Sequence, residues 1–191
     1  MKKLLLTTLI TVGLGLSAQG AFAQDSTSVA SGTVNFTGKV QDMTCTIEGG
    51  ADKNVVLDTV QVANFTGQGT TAAPKPFNIV LKDCARASGG PITSVYAYFE
   101  NDPSKVNGGG LLKNTATGGD EATGVAVQLL HSDGTAIKVT DNELTQAGTQ
   151  KVTYTAGNKV TFKYIARYYA TNATVTPGPV QASVKYNLAY E

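Results

Sequence analysis

At the end of the chain, apolar residues fall on every second position. In "PGPVQASVKYNLAYE", Val180, Ala182, Val184, Tyr186, Leu188 and Tyr190 alternate with Gln181, Ser183, Lys185, Asn187 and Ala189, the two-residue period of a strand with one buried face. Related patterns recur upstream. "GTVNFTGKV" puts Gly32, Val34, Phe36 and Gly38 on one face, and "PFNIVLKDC" puts Phe77, Ile79 and Leu81 on one face with Val80 opposite. "ITSVYAYFE", "TGVAVQLL", "TAIKV", "KVTYTA" and "NKVTFKYIARYYA" are rich in Val, Ile, Thr, Tyr and Phe, the residues that suit a pleated, half-buried surface. The loops "SGGP", "NGGG", "ATGGD" and "HSDG" carry Gly and Asn, which accept positive φ in turns. Nothing reads as a long amphipathic helix that could make parallel crossovers, so the pattern predicts an antiparallel β-sandwich.

The terminal strand raises a question of its own. A strand with an apolar face needs neighbours on both edges, or it leaves backbone groups unpaired. No residues follow it to supply one.

The beginning of the chain has a different character. Lys2 and Lys3 precede a run of apolar and small residues from Leu4 to Leu16, and Ala21-Phe22-Ala23 fits an A-x-A cleavage site. Met1–Ala23 therefore reads as a secretory signal peptide. The run is shorter than the roughly 20 residues that span a bilayer and contains Gly13 and Gly15. Of 191 residues, 168 then remain, a length that suits one domain and one core. Two of the 15 basic residues and none of the 14 acidic ones lie in the leader, so the rest carries a net charge of about −1. Near-neutrality argues against a nucleic-acid partner, which needs a basic face.

Two cysteines, Cys45 and Cys84, remain in a chain read as exported, and an oxidising compartment favours joining them. Closing a loop of about 40 residues stabilises the fold by roughly 4 kcal/mol through chain entropy. There is no C-x-x-C spacing and no neighbouring His, so the pair reads as structural rather than redox-active.

Candidate chemistry is sparse. The single His131 lies in "LLHSDGTAI", read as a hairpin turn, where adjacent Ser132 and Asp133 cannot line up as nucleophile and orienter. One His and two paired cysteines leave only carboxylates for a metal, and none has zinc or EF-hand spacing. "TGQGTTAAP" and "NGGGLL" lack the Lys-Ser/Thr ending of a phosphate loop. The sequons at Asn35, Asn64 and Asn172 read as strand and turn residues. Lys163, Arg167 and Lys185 read as solvated strand faces. The expectation is a protein with no catalytic residues, no cofactor and no metal.

The segment after the leader is more informative. Gln24–Ser31, "QDSTSVAS", is polar and small, a composition that stays disordered alone. It runs directly into "SGTVNFTG", where Ala30, Gly32, Val34 and Phe36 share a parity. The chain carries a surplus strand at its start and a strand lacking a neighbour at its end.

At these residues the sequence resembles the major pilins of chaperone–usher fimbriae, most closely the shaft subunits of the type 1 fimbrial family. The resemblance is carried by "SGTVNFTGKVQDMTC", "VVLDTVQVANF", the second cysteine in "FNIVLKDC", "ATGVAVQLL", Gly178 fourteenth from the end and Tyr190 penultimate. It implies an all-β, incomplete immunoglobulin-like sandwich lacking its last strand and completed by a donor strand from another subunit, a form of β-augmentation. The implied organisation is a leader (1–23), a donor-strand extension (24–37) and a pilin domain (38–191). The donor residues are then Ala30, Gly32, Val34 and Phe36, with Gly32 matching a family glycine that fits a shallow part of the groove. Gly178, Val180, Ala182, Val184, Tyr186, Leu188 and Tyr190 form the strand beside the groove, held first by a periplasmic chaperone. The implied partners are identical subunits in a head-to-tail filament, the chaperone and an outer-membrane usher. The implied destination is a cell-surface fimbrium used in adhesion. A minor adaptor or tip subunit is the alternative within the same fold.

Overall fold

Strand-forming residues set out in short runs between turns give nine strands and one short helix among the described residues. The computed structural model describes residues 43–86, 92–148 and 150–191, and the leader, the extension and the donor residues Ala30, Gly32, Val34 and Phe36 lie outside them. The described residues all belong to one unit, Val40–Glu191. In chain order the elements are β1 (Met43–Ile47), β2 (Thr71–Arg86), β3 (Ser94–Phe99), β4 (Leu112–Lys113), β5 (Val125–His131), β6 (Ala136–Ile137), α1 (Glu143–Ala147), β7 (Val152–Thr153), β8 (Val160–Ala170) and β9 (Tyr186–Tyr190).

The strands form two sheets, with every pair antiparallel. One has the order β1-β2-β8-β5-β4, with β6 also on β5, and the other has the order β7-β3-β9. The core lies between them. Ile79 and Leu81 of β2, Phe162 and Tyr164 of β8, and Val127 and Leu129 of β5 meet Val95, Ala97 and Phe99 of β3. In β8 the burial alternates as the sequence does, with Val160, Phe162, Tyr164 and Ala166 inside and Thr161 and Lys163 outside. Tyr164 packs edge-on to Phe99 across the sandwich, with ring centroids 5.2 Å apart. β5 is buried along its whole length, which explains why "VAVQLL" shows a run rather than an alternation.

The disulfide Cys45–Cys84 joins β1 to β2. It sits at a bulge, where the register steps between Thr44 and Thr46 and Asp83 takes a positive φ of 52°. An extra residue in one strand is accommodated in this way.

Three features differ from the sequence reading. "NGGGLL", read as a loop, contains β4, and Gly110 before it has a φ of 78° with no room for a Cβ, which would lie 2.8 Å from Lys138 Cα. His131 is the buried last residue of β5 rather than a turn residue, because its backbone closes the β5–β6 hairpin through Thr135 and Gly134. Arg167 is half-buried, since it lies opposite Gln128 across the β8–β5 ladder and its Nε donates to Gln128 Oε1 at 2.9 Å. Lys163 and Lys185 are exposed.

The helix α1 was not anticipated. Asn142 caps it, its side chain accepting from Thr145 N at 2.9 Å, and Gly148 ends it. Its buried Gln146 accepts from Phe99 N at 2.9 Å and donates to the carbonyls of Phe99, Val139 and Asp141. A buried carboxamide so fully satisfied ties the helix to β3.

Candidate functional site: an apolar groove between two strand edges

The last strand of the chain is an edge. β9 pairs with β3 through Val95–Tyr190, Ala97–Leu188 and Phe99–Tyr186, and no described strand lies on its other side. Before it, residues 180–185 continue extended, with Val180 and Val184 half-buried against the core and Gln181, Ser183 and Lys185 exposed. Ala182, on the inward parity, is exposed too.

A second unpaired edge faces this one. Residues 54–58 alternate, with Val55 and Leu57 packed against the core and Asn54, Val56 and Asp58 outward. Among the described residues the backbone from Ala51 to Val60 makes no backbone–backbone hydrogen bond. The same holds for Ala182, Ser183 and Val184.

Between these walls runs an open groove of about 1200 Å3. Its floor is the core itself, exposed through the gap: Phe77, Ile79, Phe99, Val127, Leu129 and Ala166. An apolar floor bounded by two rows of unsatisfied N–H and C=O groups is the surface that a further strand would cover.

Both ends of the terminal arm are fastened. At one end Asn114 donates to the carbonyls of Ala122 and Pro179 at 2.8 and 3.0 Å and accepts from Gln181 N at 2.9 Å, while Thr115 N donates to Gln181 O at 2.7 Å. Gly178 lies here with a φ of 151°, where a Cβ would collide with the backbone of Asp120 and Ala122. That contact accounts for a glycine at this position. At the other end Glu191 O accepts from Thr93 N at 2.8 Å. The Glu191 side chain pairs with Lys151 and accepts from Ser94, contacts that hold its carboxyl below the usual range, Lys151 foremost.

One side chain crosses between the walls. The Tyr186 hydroxyl donates to Ala51 O at 2.6 Å. Burial pushes the Tyr186 and Tyr190 hydroxyls up from their ordinary value, so both are neutral donors near pH 7.

The structure thus places Val180, Val184, Tyr186 and Leu188 along one wall and against the core, Ala182 on that wall but exposed, Tyr190 packed on the core at the strand end, and Gly178 at the loop that anchors the arm. The opposite wall was quoted in the sequence only within a family-like motif. Its residue-level signal is the short alternation of Val55 and Leu57.

Residues 34–191 match the family model described as "Fimbrial protein". The chain belongs to the fimbrial protein family. Fimbriae are cell-surface filaments built of polymerised subunits, and the chain is a structural subunit of one. It is 38% identical over 174 residues to the major fimbrial subunit SMF-1 of Stenotrophomonas maltophilia, covering 89% of this chain and 98% of that one. It is 33% identical over 222 residues to a major fimbrial subunit of Haemophilus influenzae, covering both completely. The P pilus rod subunit PapA shares the fold, with a TM-score of 0.57 at 22% identity, over 77% of this chain and 99% of that chain. The groove is therefore a feature of a fimbrial subunit.

Proposed function

We propose that the groove is the acceptor site through which this subunit polymerises into a fimbrial shaft by donor-strand exchange. The observation that carries the reading is the pair of unpaired strand edges over an apolar floor. The occupant is the N-terminal segment of another copy, residues 24–37, with Ala30, Val34 and Phe36 turned to the floor and Gly32 among them. Burying Val34 and Phe36 contributes on the order of 1.5–3 kcal/mol each, and each backbone hydrogen bond along the walls adds about 0.5–1.5 kcal/mol. Because the donor and acceptor surfaces differ, the joint is head to tail, and a rotation that does not close yields an open filament. The resemblance of the relatives named as major subunits supports a shaft role rather than a tip role.

Export and assembly follow from the same reading. The leader 1–23 directs the chain to the periplasm, where a chaperone lends a strand to the groove until an outer-membrane usher brings the next copy. A chain beginning at Thr37 tests this directly. It should bind chaperone, form the Cys45–Cys84 bond and yet give no filaments by negative-stain microscopy. Failure to fold with chaperone present, or normal filaments, overturns the proposal.

A further inference from the structure

Along the inward face of the terminal arm the side chains vary sharply in size. In order they are Val180, Ala182, Val184, Tyr186 and Leu188, with Ala182 exposed and Tyr186 reaching across the groove to Ala51. The smallest and largest stand four residues apart. In the donor segment the apolar parity reads Ala30, Gly32, Val34 and Phe36, with the smallest and largest again four residues apart.

We propose that Tyr186 sets the register of the incoming strand: Gly32 of the donor crosses the groove at Tyr186, the donor runs antiparallel to the terminal arm, and Phe36 covers Ala182. The inference rests on the groove being the acceptor site and adds direction and register to it. Facing side chains across a sheet fill space best when large meets small. With the strands antiparallel, the pairing Gly32–Tyr186 brings Val34 to Val184 and Phe36 to Ala182, so both size mismatches are matched at once. A parallel strand with Gly32 at Tyr186 would set Ser28 over Ala182 and Phe36 against Tyr190, leaving space at one position and crowding the other. An antiparallel strand shifted by two would bring β-branched Val34 onto Tyr186.

The hydroxyl contact gives the glycine its reason. Ala51 lies between Ile47 and Val55 on one wall, and Tyr186 lies between Val184 and Leu188 on the other, so a strand that follows the groove must pass the Tyr186–Ala51 bond. A residue without a Cβ lets the donor backbone come close to that ring. Any larger side chain meets it.

The test uses the purified subunit and a synthetic peptide of residues 24–39. With Phe36→Cys in the peptide, mild oxidation should give an interchain disulfide with Ala182→Cys in the subunit and none with Val180→Cys or Val184→Cys. A Gly32→Leu peptide should bind the unaltered subunit at least about tenfold more weakly, and the Tyr186→Ala subunit should recover most of that loss. A peptide that binds but couples to position 180 or 184 overturns the register while leaving the acceptor reading intact. A peptide that does not bind the unaltered subunit overturns both.

Discussion

Asn114 holds Gln181 across a sequence separation of 67 residues, its Oδ1 accepting from Gln181 N at 2.9 Å while its Nδ2 donates to Ala122 and Pro179 carbonyls. One carboxamide thereby fixes where the groove wall leaves the loop and begins to run over the core. Asn114→Leu leaves these partners without their bonds, and unsatisfied groups of this kind cost about 1–3 kcal/mol. The donor-complemented subunit should lose that much in denaturant unfolding, and Asn114→Asp, which keeps only the acceptor, should fall between the two. Unchanged stability of the Leu variant would show that the arm is held by other contacts.

Gln146 performs the corresponding task for α1. Its contacts with both polar groups of Phe99 are buried, so Gln146→Leu should destabilise the domain by about 1–3 kcal/mol. Hydrogen exchange at the Phe99 amide should accelerate in the same variant. A variant with the exchange and stability of the parent would mean that the helix docks through its apolar contacts alone.

The Cys45–Cys84 bond closes a separation of 39 residues. Replacing both by Ser should lower stability by about 2–4 kcal/mol. Alkylation of the denatured, unreduced native protein should find no free thiol. Recovery of two alkylated cysteines would contradict the assignment.

Burial lowers the His131 pKa, with Asp133 opposing the shift only in part, and the imidazole is therefore neutral in the fold. The unfolded chain takes up its proton near pH 6.5, whereas the folded chain does so lower. Between these values the unfolded state binds more protons, so stability is complete above about pH 6.5 and falls as pH decreases through that window. His131→Leu should remove this component. Urea midpoints measured at pH 7.5 and 5.5 should differ less in the variant than in the parent, and equal differences would contradict it.

Most of the sandwich was legible because β8, β2 and β9 each bury one face, so Val160, Phe162 and Tyr164, or Phe77, Ile79 and Leu81, repeat at period two. The five residues of α1 are too few to show a helical period, although Asn142 and Gly148 carry the capping signal. β4, at two residues, is defined by its partner β5 rather than by its own pattern. One groove wall was readable from Val180 to Leu188. The wall from Ala51 to Leu57 has no ladder of its own, and only Val55 and Leu57 mark it. Contacts such as Tyr186–Ala51, 135 residues apart, have no local signal at all, because the fold alone makes them neighbours.

Placing a charge on the readable wall should prevent its partner strand from docking. Val184→Asp and Leu188→Asp each insert a carboxylate beside the apolar floor, and burying an unpaired charge is costly. Co-purification with the periplasmic chaperone should be lost for both variants, while Ser183→Asp, on the exposed parity, should retain it. Normal recovery of the Val184 and Leu188 variants would place the chaperone elsewhere.

The central claim is that the groove lacks one strand and that the chain's own N-terminal sequence is that strand. A self-complemented subunit tests it most directly: "DSTSVASGTVNFTGKV" appended after Glu191 through a flexible linker, in a chain beginning at Thr37, followed by thermal unfolding. The account predicts a monomer that folds without chaperone and melts far above the same chain without the appended strand. Equal melting temperatures for the two chains would contradict it.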